Sequence, residues 1–131
     1  MKMAPKKKIL IVDDEPDVLL LLGERLTKAG YHVIKAASGK EAIDLAEKRK
    51  PDLILLDIAM PGMDGSEAAT VLRADPNTCG IPILFLTCLF TKQEEKVCGH
   101  TLGQNFFIAK PYDAAELLSE IDKRIQKYTG A

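Results

Sequence analysis

The chain has 131 residues, of which 18 are Lys or Arg and 19 are Asp or Glu, giving a formal net charge of −1. This length fits one globular domain, and the 47% hydrophobic and 28% charged content excludes a disordered chain. The near-neutral charge argues against general attraction to nucleic acid or anionic membranes. We therefore expect a single domain over residues 1–131, with a flexible N-terminus at residues 1–6 and no second domain visible within these residues.

The cysteine pattern and the apolar runs indicate the compartment. Cys79, Cys88 and Cys98 form an odd number without C-x-x-C spacing, which favours free thiols over a disulfide framework or a zinc site. Every apolar run is too short for a signal peptide or a membrane span. These features predict a cytoplasmic protein that makes no direct contact with membranes.

Short apolar runs alternate with longer segments of helical period along the whole chain. Pro16, Gly30, Ser38 and Asp113 are the residue types expected at helix starts and ends. In chain order the pattern predicts strand Lys8–Val12, helix Pro16–Ala29, strand His32–Ala36, helix Gly39–Lys48, strand Leu53–Leu56, helix Ser66–Ala74, strand Ile83–Leu86, helix Lys92–Leu102, strand Phe106–Ala109 and helix Asp113–Lys127.

Five strand and helix pairs of this kind predict an α/β fold with a parallel five-stranded sheet covered on both faces. The expected architecture is doubly wound and flavodoxin-like, with strand order 2-1-3-4-5. In such sheets, ligands bind at the carboxyl ends of the strands near the point where the strand order reverses. The residues that follow the predicted strands are therefore the candidates for a functional site.

Charged and hydroxyl side chains occupy these strand ends. Asp13 and Asp14 follow the first strand, Asp57 the third, Thr87 the fourth and Lys110 the fifth. Carboxylates that meet at one edge repel one another unless a cation or a proton relieves them, and oxygen ligands of this kind favour Mg²⁺. Asp57 could then attack phosphorus, while Thr87 and Lys110 stabilise the charge on the phosphoryl oxygens.

Each of these residues also has a purely structural interpretation. The acidic pair Asp13 and Asp14 could cap the following helix, and Asp57 could be a turn residue before Pro61. Thr87 and Lys110 could simply end their strands. It is less plausible that all of these structural interpretations hold at once, each at a matching strand end, than that the residues share one pocket.

The motifs at these positions resemble those of the receiver domains of bacterial two-component response regulators. The matching segments are KILIVDDE at Lys8–Glu15, LILLDIAMPGMDG at Leu53–Gly65, Thr87, and AKPY at Ala109–Tyr112. The resemblance implies that Asp57 is the phospho-acceptor and that Asp13, Asp14, Asp57 and the backbone carbonyl of Ala59 hold Mg²⁺, with Mn²⁺ as a possible substitute. It also implies that Lys110 contacts the phosphoryl group and that Thr87 is the switch hydroxyl.

Several implications concern the switch itself. The expected phosphoryl donor is a phosphohistidine on a sensor histidine kinase or a histidine phosphotransfer protein. The expected output surface comprises the predicted fourth helix, fifth strand and fifth helix, which would contact a downstream effector. Such a protein is a signalling switch and not an enzyme, since it catalyses only its own phosphotransfer and slow autodephosphorylation.

The sequence departs from the family pattern around the switch. Cys88 follows the switch threonine where relatives carry a small residue, and Phe107 stands where tyrosine is common. Phe107 can still change rotamer as a switch residue, although it lacks a hydroxyl and is equally explicable as core. Ala59 and Leu89 occupy the positions that flank the phosphoryl group in the family. Neither can orient a hydrolytic water, so the aspartyl phosphate is expected to be long-lived.

Three other functions fit these residues less well than the switch does. A receiver that acts only as an interaction module would be expected to have lost an acidic residue or the lysine, and this chain keeps both. A haloacid-dehalogenase-like phosphatase needs D-x-D at the nucleophile, whereas Asp57 is followed by Ile58 and Ala59. A dinucleotide-binding domain needs a G-x-G-x-x-G motif after the first strand, where this chain has acidic residues.

Overall fold

The computed structural model describes residues 6–57, 65–87, 101–102, 105–109 and 113–129. Four predicted helices and all five predicted strands occur, with ends within two residues of the prediction. The elements are β1 (Lys8–Val12), α1 (Pro16–Lys28), β2 (His32–Ala36), α2 (Gly39–Arg49), β3 (Leu53–Asp57), α3 (Gly65–Ala74), β4 (Ile83–Thr87), β5 (Thr101–Leu102), β6 (Asn105–Ala109) and α4 (Ala114–Thr129).

The helix starts follow the local sequence signals. Pro16 is the first residue of α1, where its missing N–H costs no hydrogen bond. The side chain of Ser38 caps α2, because its Oγ accepts a hydrogen bond from the Glu41 N–H at 3.2 Å. Asp113 precedes α4, and its carbonyl accepts the Leu117 N–H at 3.0 Å. These starts are set by residues within one helical turn.

The sheet has the order β2-β1-β3-β4-β6-β5, and its first five members are parallel neighbours. This confirms the flavodoxin-like order predicted for the parallel strands. In the centre of the sheet, Val12 of β1 lies opposite Leu56 of β3, and Asp57 lies opposite Leu86 of β4. The carboxyl ends of β1, β3 and β4 therefore lie side by side at one edge.

The prediction of a helix over Lys92–Leu102 was wrong at its C-terminal end, because Thr101–Leu102 is the strand β5. This strand pairs antiparallel with β6, Thr101 lying opposite Phe106 and Leu102 opposite Asn105. Only residues 103–104 separate the two strands, which is the length of a tight hairpin connection. The sheet thus has a sixth, antiparallel strand beyond the five that the sequence predicts. The remainder of that predicted helix, residues 92–100, lies outside the described residues.

The core consists of two layers, one on each face of the sheet. Alternate strand residues point to opposite faces, so Ile9 and Ile11 belong to one layer and Leu10 and Val12 to the other. Residues of α2 and α3 complete the layer around Leu10, whereas residues of α1 and α4 complete the layer around Ile9. Within the described part of the chain, no helix has the length and apolar character needed to cross a bilayer.

Candidate functional site

The end of β1 places the first acidic residues. The ladder between β1 and β2 continues one residue past Val12, because the Asp13 N–H donates to the Ala36 carbonyl at 3.2 Å. The Asp13 side chain is 3% exposed, and its Oδ1 accepts the Glu15 N–H at 2.9 Å. Asp14 is exposed. The backbone of both strands and the start of α1 therefore fix the Asp13 carboxylate.

Asp57 is the last residue of β3 and is 6% exposed. The strand before it is buried throughout and lies between β1 and β4, so Asp57 is held at the centre of the sheet edge. A charged side chain at such a depth is costly unless other groups compensate for its lost hydration. This position is therefore one where a functional role for a carboxylate is expected.

The three predicted acids meet in one cluster. Asp13, Asp14 and Asp57 each offer a carboxylate oxygen, and these oxygens all lie within 4.8 Å of one another. At that distance three negative charges repel strongly, and a divalent cation is the partner that relieves the repulsion without removing a charge. Oxygen-only donors, two of them nearly buried, are the chemistry that suits Mg²⁺. The residues present thus fit a magnesium site.

The remaining predicted site residues are described only in part or not at all. Thr87 ends β4 and pairs with Ala109, and Phe107 lies in β6 opposite Phe85, but the side chains of Thr87 and Phe107 are not described. Ala59, Leu89 and Lys110 lie outside the described residues. Their predicted roles stay predictions.

The hydrogen bond between the Glu15 N–H and the Asp13 carboxylate is a feature of the site that the sequence does not predict. Helix capping and metal binding are alternative predictions for Asp13, whereas in the structure its carboxylate accepts the Glu15 N–H at the start of α1 and also lies within the acidic cluster. The N–H that holds the Asp13 carboxylate belongs to Glu15, for which the sequence predicts no function. A hydrogen bond over two residues leaves no signal in a sequence beyond the acid itself.

The sequence of the chain is similar to a well-populated family. It matches the response regulator receiver domain over residues 9–122. Protein PilH of Pseudomonas aeruginosa is 40% identical over 117 residues, which cover 88% of this chain and 94% of PilH. The alkaline phosphatase synthesis transcriptional regulatory protein PhoP of Bacillus subtilis is 43% identical over 117 residues, but the match covers only 47% of PhoP. The chain thus spans nearly all of PilH and about half of the transcriptional regulators that it matches.

Solved structures agree with the sequence relatives. The chemotaxis protein CheY4 of Vibrio cholerae superposes with a TM-score of 0.76 at 33% identity, covering 91% of this chain and 98% of CheY4. The receiver domain of a sensor histidine kinase from Pseudomonas aeruginosa, with a magnesium ion coordinated in its active site cleft, gives a TM-score of 0.76 at 30% identity. That match covers 97% of this chain and all of the other.

The parallel sheet order, the acidic cluster at its carboxyl edge and a family match over most of the chain all lead to one classification. This chain belongs to the response regulator receiver domains, the signalling switches of two-component systems.

Proposed function

We propose that Asp57 accepts a phosphoryl group and that Asp13, Asp14 and Asp57 hold Mg²⁺ beside it. The single observation that supports this proposal is the convergence of three carboxylates within 4.8 Å at the ends of β1 and β3. Bound Mg²⁺ would offset the carboxylate charge and the charge of the incoming phosphoryl oxygens. The backbone carbonyl of Ala59 is proposed as a further ligand, and Mn²⁺ as an alternative ion.

The proposed reaction transfers phosphorus from nitrogen to oxygen. The Asp57 carboxylate attacks the phosphorus of a phosphohistidine, so that an O–P bond forms while the P–N bond breaks and the imidazole leaves. The hydrogen bond from the Glu15 N–H keeps Asp13 oriented beside the reacting carboxylate. Lys110 is proposed to contact the phosphoryl oxygens and Thr87 to bind them as the switch hydroxyl.

The proposed partners follow from this chemistry. The donor would be a sensor histidine kinase or a histidine phosphotransfer protein, acting in the cytoplasm, and Cys79 with its free, exposed thiol suits that compartment. The output would pass to an effector through the surface around residues 92–102, β6 and α4, with Phe107 as a switch residue. Beyond phosphotransfer to itself and slow autodephosphorylation, no catalytic turnover is proposed.

The proposal is tested with acetyl phosphate as the donor and intact mass as the measurement. Wild type, Asp57→Asn and Asp44→Asn are incubated with acetyl phosphate, once with Mg²⁺ and once with EDTA. Asp44 is a matched control, since it is an exposed acid on α2 that pairs with Lys48 at 3.2 Å. We expect one phosphoryl adduct on wild type and Asp44→Asn with Mg²⁺ only, and no adduct on Asp57→Asn.

Two outcomes would contradict the proposal. One is an equal adduct on Asp57→Asn, and the other is no adduct on a folded wild-type sample, which would favour a module that only binds partners. After removal of acetyl phosphate, the decay of the adduct also tests its expected long lifetime. Leu89→Glu should decay faster than wild type, because a polar group beside the phosphate can orient water.

A further inference from the structure

A second concave site lies at the edge of the sheet, between the C-terminal half of α1 and the edge strand β2. Its volume is about 600 Å³, which is in the range of pockets that hold small molecules. The side chains that matter for its chemistry are Lys6, Glu24, Lys28, Tyr31, His32 and Lys35. None of them belongs to the acidic cluster formed by Asp13, Asp14 and Asp57.

The charge of this cleft differs from that of the whole chain. Basic and acidic residues are nearly balanced overall, at 18 and 19, yet the described residues that line the cleft include three lysines and one acid, Glu24. Arg49 adds a further cation beside it, since its Nη2 lies 3.2 Å from His32 Nε2. The cleft therefore offers donors and positive charge to an anion.

Gly23 determines where one of the lysines lies. A Cβ atom built on Gly23 would be 2.8 Å from Lys35 Cε and 3.3 Å from Lys35 Nζ. The Lys35 side chain thus lies against α1 at the one position in this part of the helix that has no side chain. Glycine is unfavourable inside a helix, so its presence at position 23 is consistent with a need for this close approach. The Lys35 ammonium therefore lies at the wall of the cleft.

The cleft also has a surface for a ring. Val33 and the half-buried Tyr31 line it, and a Cβ on Gly23 would lie 3.7 Å from Val33 Cγ1. Burial and the nearby Asp122 raise the pKa of Tyr31, so its hydroxyl stays protonated and can donate a hydrogen bond. Cations next to an aromatic and an aliphatic surface form a mixed site. Such a site suits a ligand with an anionic part and a planar part.

We propose that the cleft between α1 and β2 binds an organic phosphate of nucleotide size, with its phosphates on Lys28 and Lys35 and its ring on Tyr31 and Val33. A cleft of this volume favours a small molecule over an extended polyanion. Phosphate oxygens can accept several charge-assisted hydrogen bonds at once. They can therefore bind more than one of the lysine ammonium groups in the cleft. The site is independent of phosphoryl transfer to Asp57.

The test is a titration of the isotope-labelled full chain with ADP, followed through the backbone amide signals by NMR. EDTA is present, so that no metal is loaded at the acidic cluster. We expect saturable shifts at residues 23–35, and affinity about tenfold lower in Lys35→Gln because a charged donor to phosphate is lost. Lys40→Gln, which removes an exposed lysine of α2 outside the cleft, should bind ADP as wild type does.

Gly23→Ala separates binding from folding. The added methyl displaces the flexible end of Lys35 from the wall of the cleft but keeps its charge, and alanine favours the helix. This variant should therefore be at least as stable as wild type and still bind ADP more weakly. The proposal is overturned if millimolar ADP gives no saturable shifts or if Gly23→Ala binds ADP as wild type does. It is also overturned if a tetraglutamate peptide shifts the same amides at lower concentration than ADP, which would make the cleft a site for acidic peptides.

Discussion

At the scale of single residues, Asp13 takes part in both the fold and the site. Its Oδ1 accepts the Glu15 N–H at the start of α1, and the same side chain belongs to the acidic cluster. This hydrogen bond orients the Asp13 carboxylate before any cation binds. Cation binding then costs little side-chain conformational entropy. An acid that only capped the helix would have no reason to lie within 4.8 Å of Asp57.

The crowding of three carboxylates predicts that neutralising one of them stabilises the metal-free protein. Asp57→Asn keeps the shape of the side chain and removes one charge from the cluster. Relief of about 1 kcal/mol would raise the melting temperature in EDTA by roughly 3–5 °C for a chain of this size. The measurement is thermal unfolding by circular dichroism. A variant that melts below wild type in EDTA would contradict the prediction.

With Mg²⁺ bound, wild type should become more stable than Asp57→Asn, the reverse of the order expected in EDTA. At a concentration of about 100 times its dissociation constant, a ligand that binds only the folded state stabilises by about 2.7 kcal/mol. Wild type should gain this stability from Mg²⁺, whereas Asp57→Asn and Asp13→Asn should gain much less, because each lacks a ligand charge. Asp44→Asn serves as the control and should respond to Mg²⁺ as wild type does. Equal stabilisation of all the variants would place the metal elsewhere.

At the scale of elements, the end of α1 depends on Gly30. Two hydrogen bonds at 3.1 Å close the helix, from the Gly30 N–H to the Thr27 carbonyl and from the Tyr31 N–H to the Leu26 carbonyl. This is the Schellman arrangement, which needs a left-handed residue after the helix, and Gly30 has a φ of 101°. Gly30 is the residue that the sequence predicted to follow the end of this helix.

We expect Gly30→Ala to lower the free energy of unfolding by about 1 kcal/mol, because alanine rarely adopts positive φ. A Cβ there would meet nothing within 4 Å, so the cost is conformational and not steric. Gly80→Ala is the matched control, since its surroundings are equally open and its φ is not positive. Urea denaturation measures both variants. Equal effects of the two substitutions would rule out the role of the left-handed turn.

A pair of carboxyls links α2 to the turn after α3. A hydrogen bond between the side chains of Glu47 and Asp75, together with the Asp75 charge, raises the pKa of Glu47. The same hydrogen bond and the Asn77 N–H, 2.9 Å from Asp75 Oδ1, lower the pKa of Asp75. The Glu47 contribution to stability is present at low pH and lost as pH rises through its raised pKa. The Asp75 contribution is lost as pH falls through its lowered pKa, so the pair contributes most in the acidic interval between the two.

Glu47→Gln should therefore change the pH dependence of stability. Glutamine can donate the hydrogen bond to Asp75 at every pH without adding a charge beside it. Relative to this variant, wild type should lose stability as pH rises from the acidic interval to neutrality, where both carboxyls are charged. The check is the difference in melting temperature between the two proteins at several pH values. A difference that stays constant across that range would contradict the prediction.

At the scale of the whole molecule, one sheet joins two core layers. Leu55 and Leu56 are neighbours in β3 with no exposed surface, yet they belong to opposite layers. We expect Leu55→Ala and Leu56→Ala each to cost about 2–5 kcal/mol, since both remove buried atoms and leave a cavity. The measurement is denaturant unfolding, which should remain a single transition with an unchanged m-value in both variants.

The control for this pair is Leu20→Ala on α1, where the side chain is 52% exposed. Its effect should stay within about 0.5 kcal/mol, as expected for a surface substitution. If the layers folded independently, one of the buried variants would show two transitions. A single transition in both would mean that the shared sheet makes the domain one cooperative unit.

The sequence by itself determined most of the described elements and the acidic part of the site. Continuous apolar runs mark the buried strands, and Pro16, Gly30 and Ser38 mark helix ends, because these signals act over a few neighbouring residues. Asp13, Asp14 and Asp57 could be assigned to one site because the carboxyl ends of parallel strands share an edge.

Only the tertiary structure decided how distant residues combine. It added the antiparallel strand β5, which was expected to be helical, because pairing with β6 at the sheet edge decided the conformation of Thr101 and Leu102. It brought Lys6, Lys28 and Lys35 to one cleft beside Gly23, although nothing in their spacing along the chain predicts this. Contacts of this kind depend on which surfaces the whole chain buries together, and that information is not contained in any short segment.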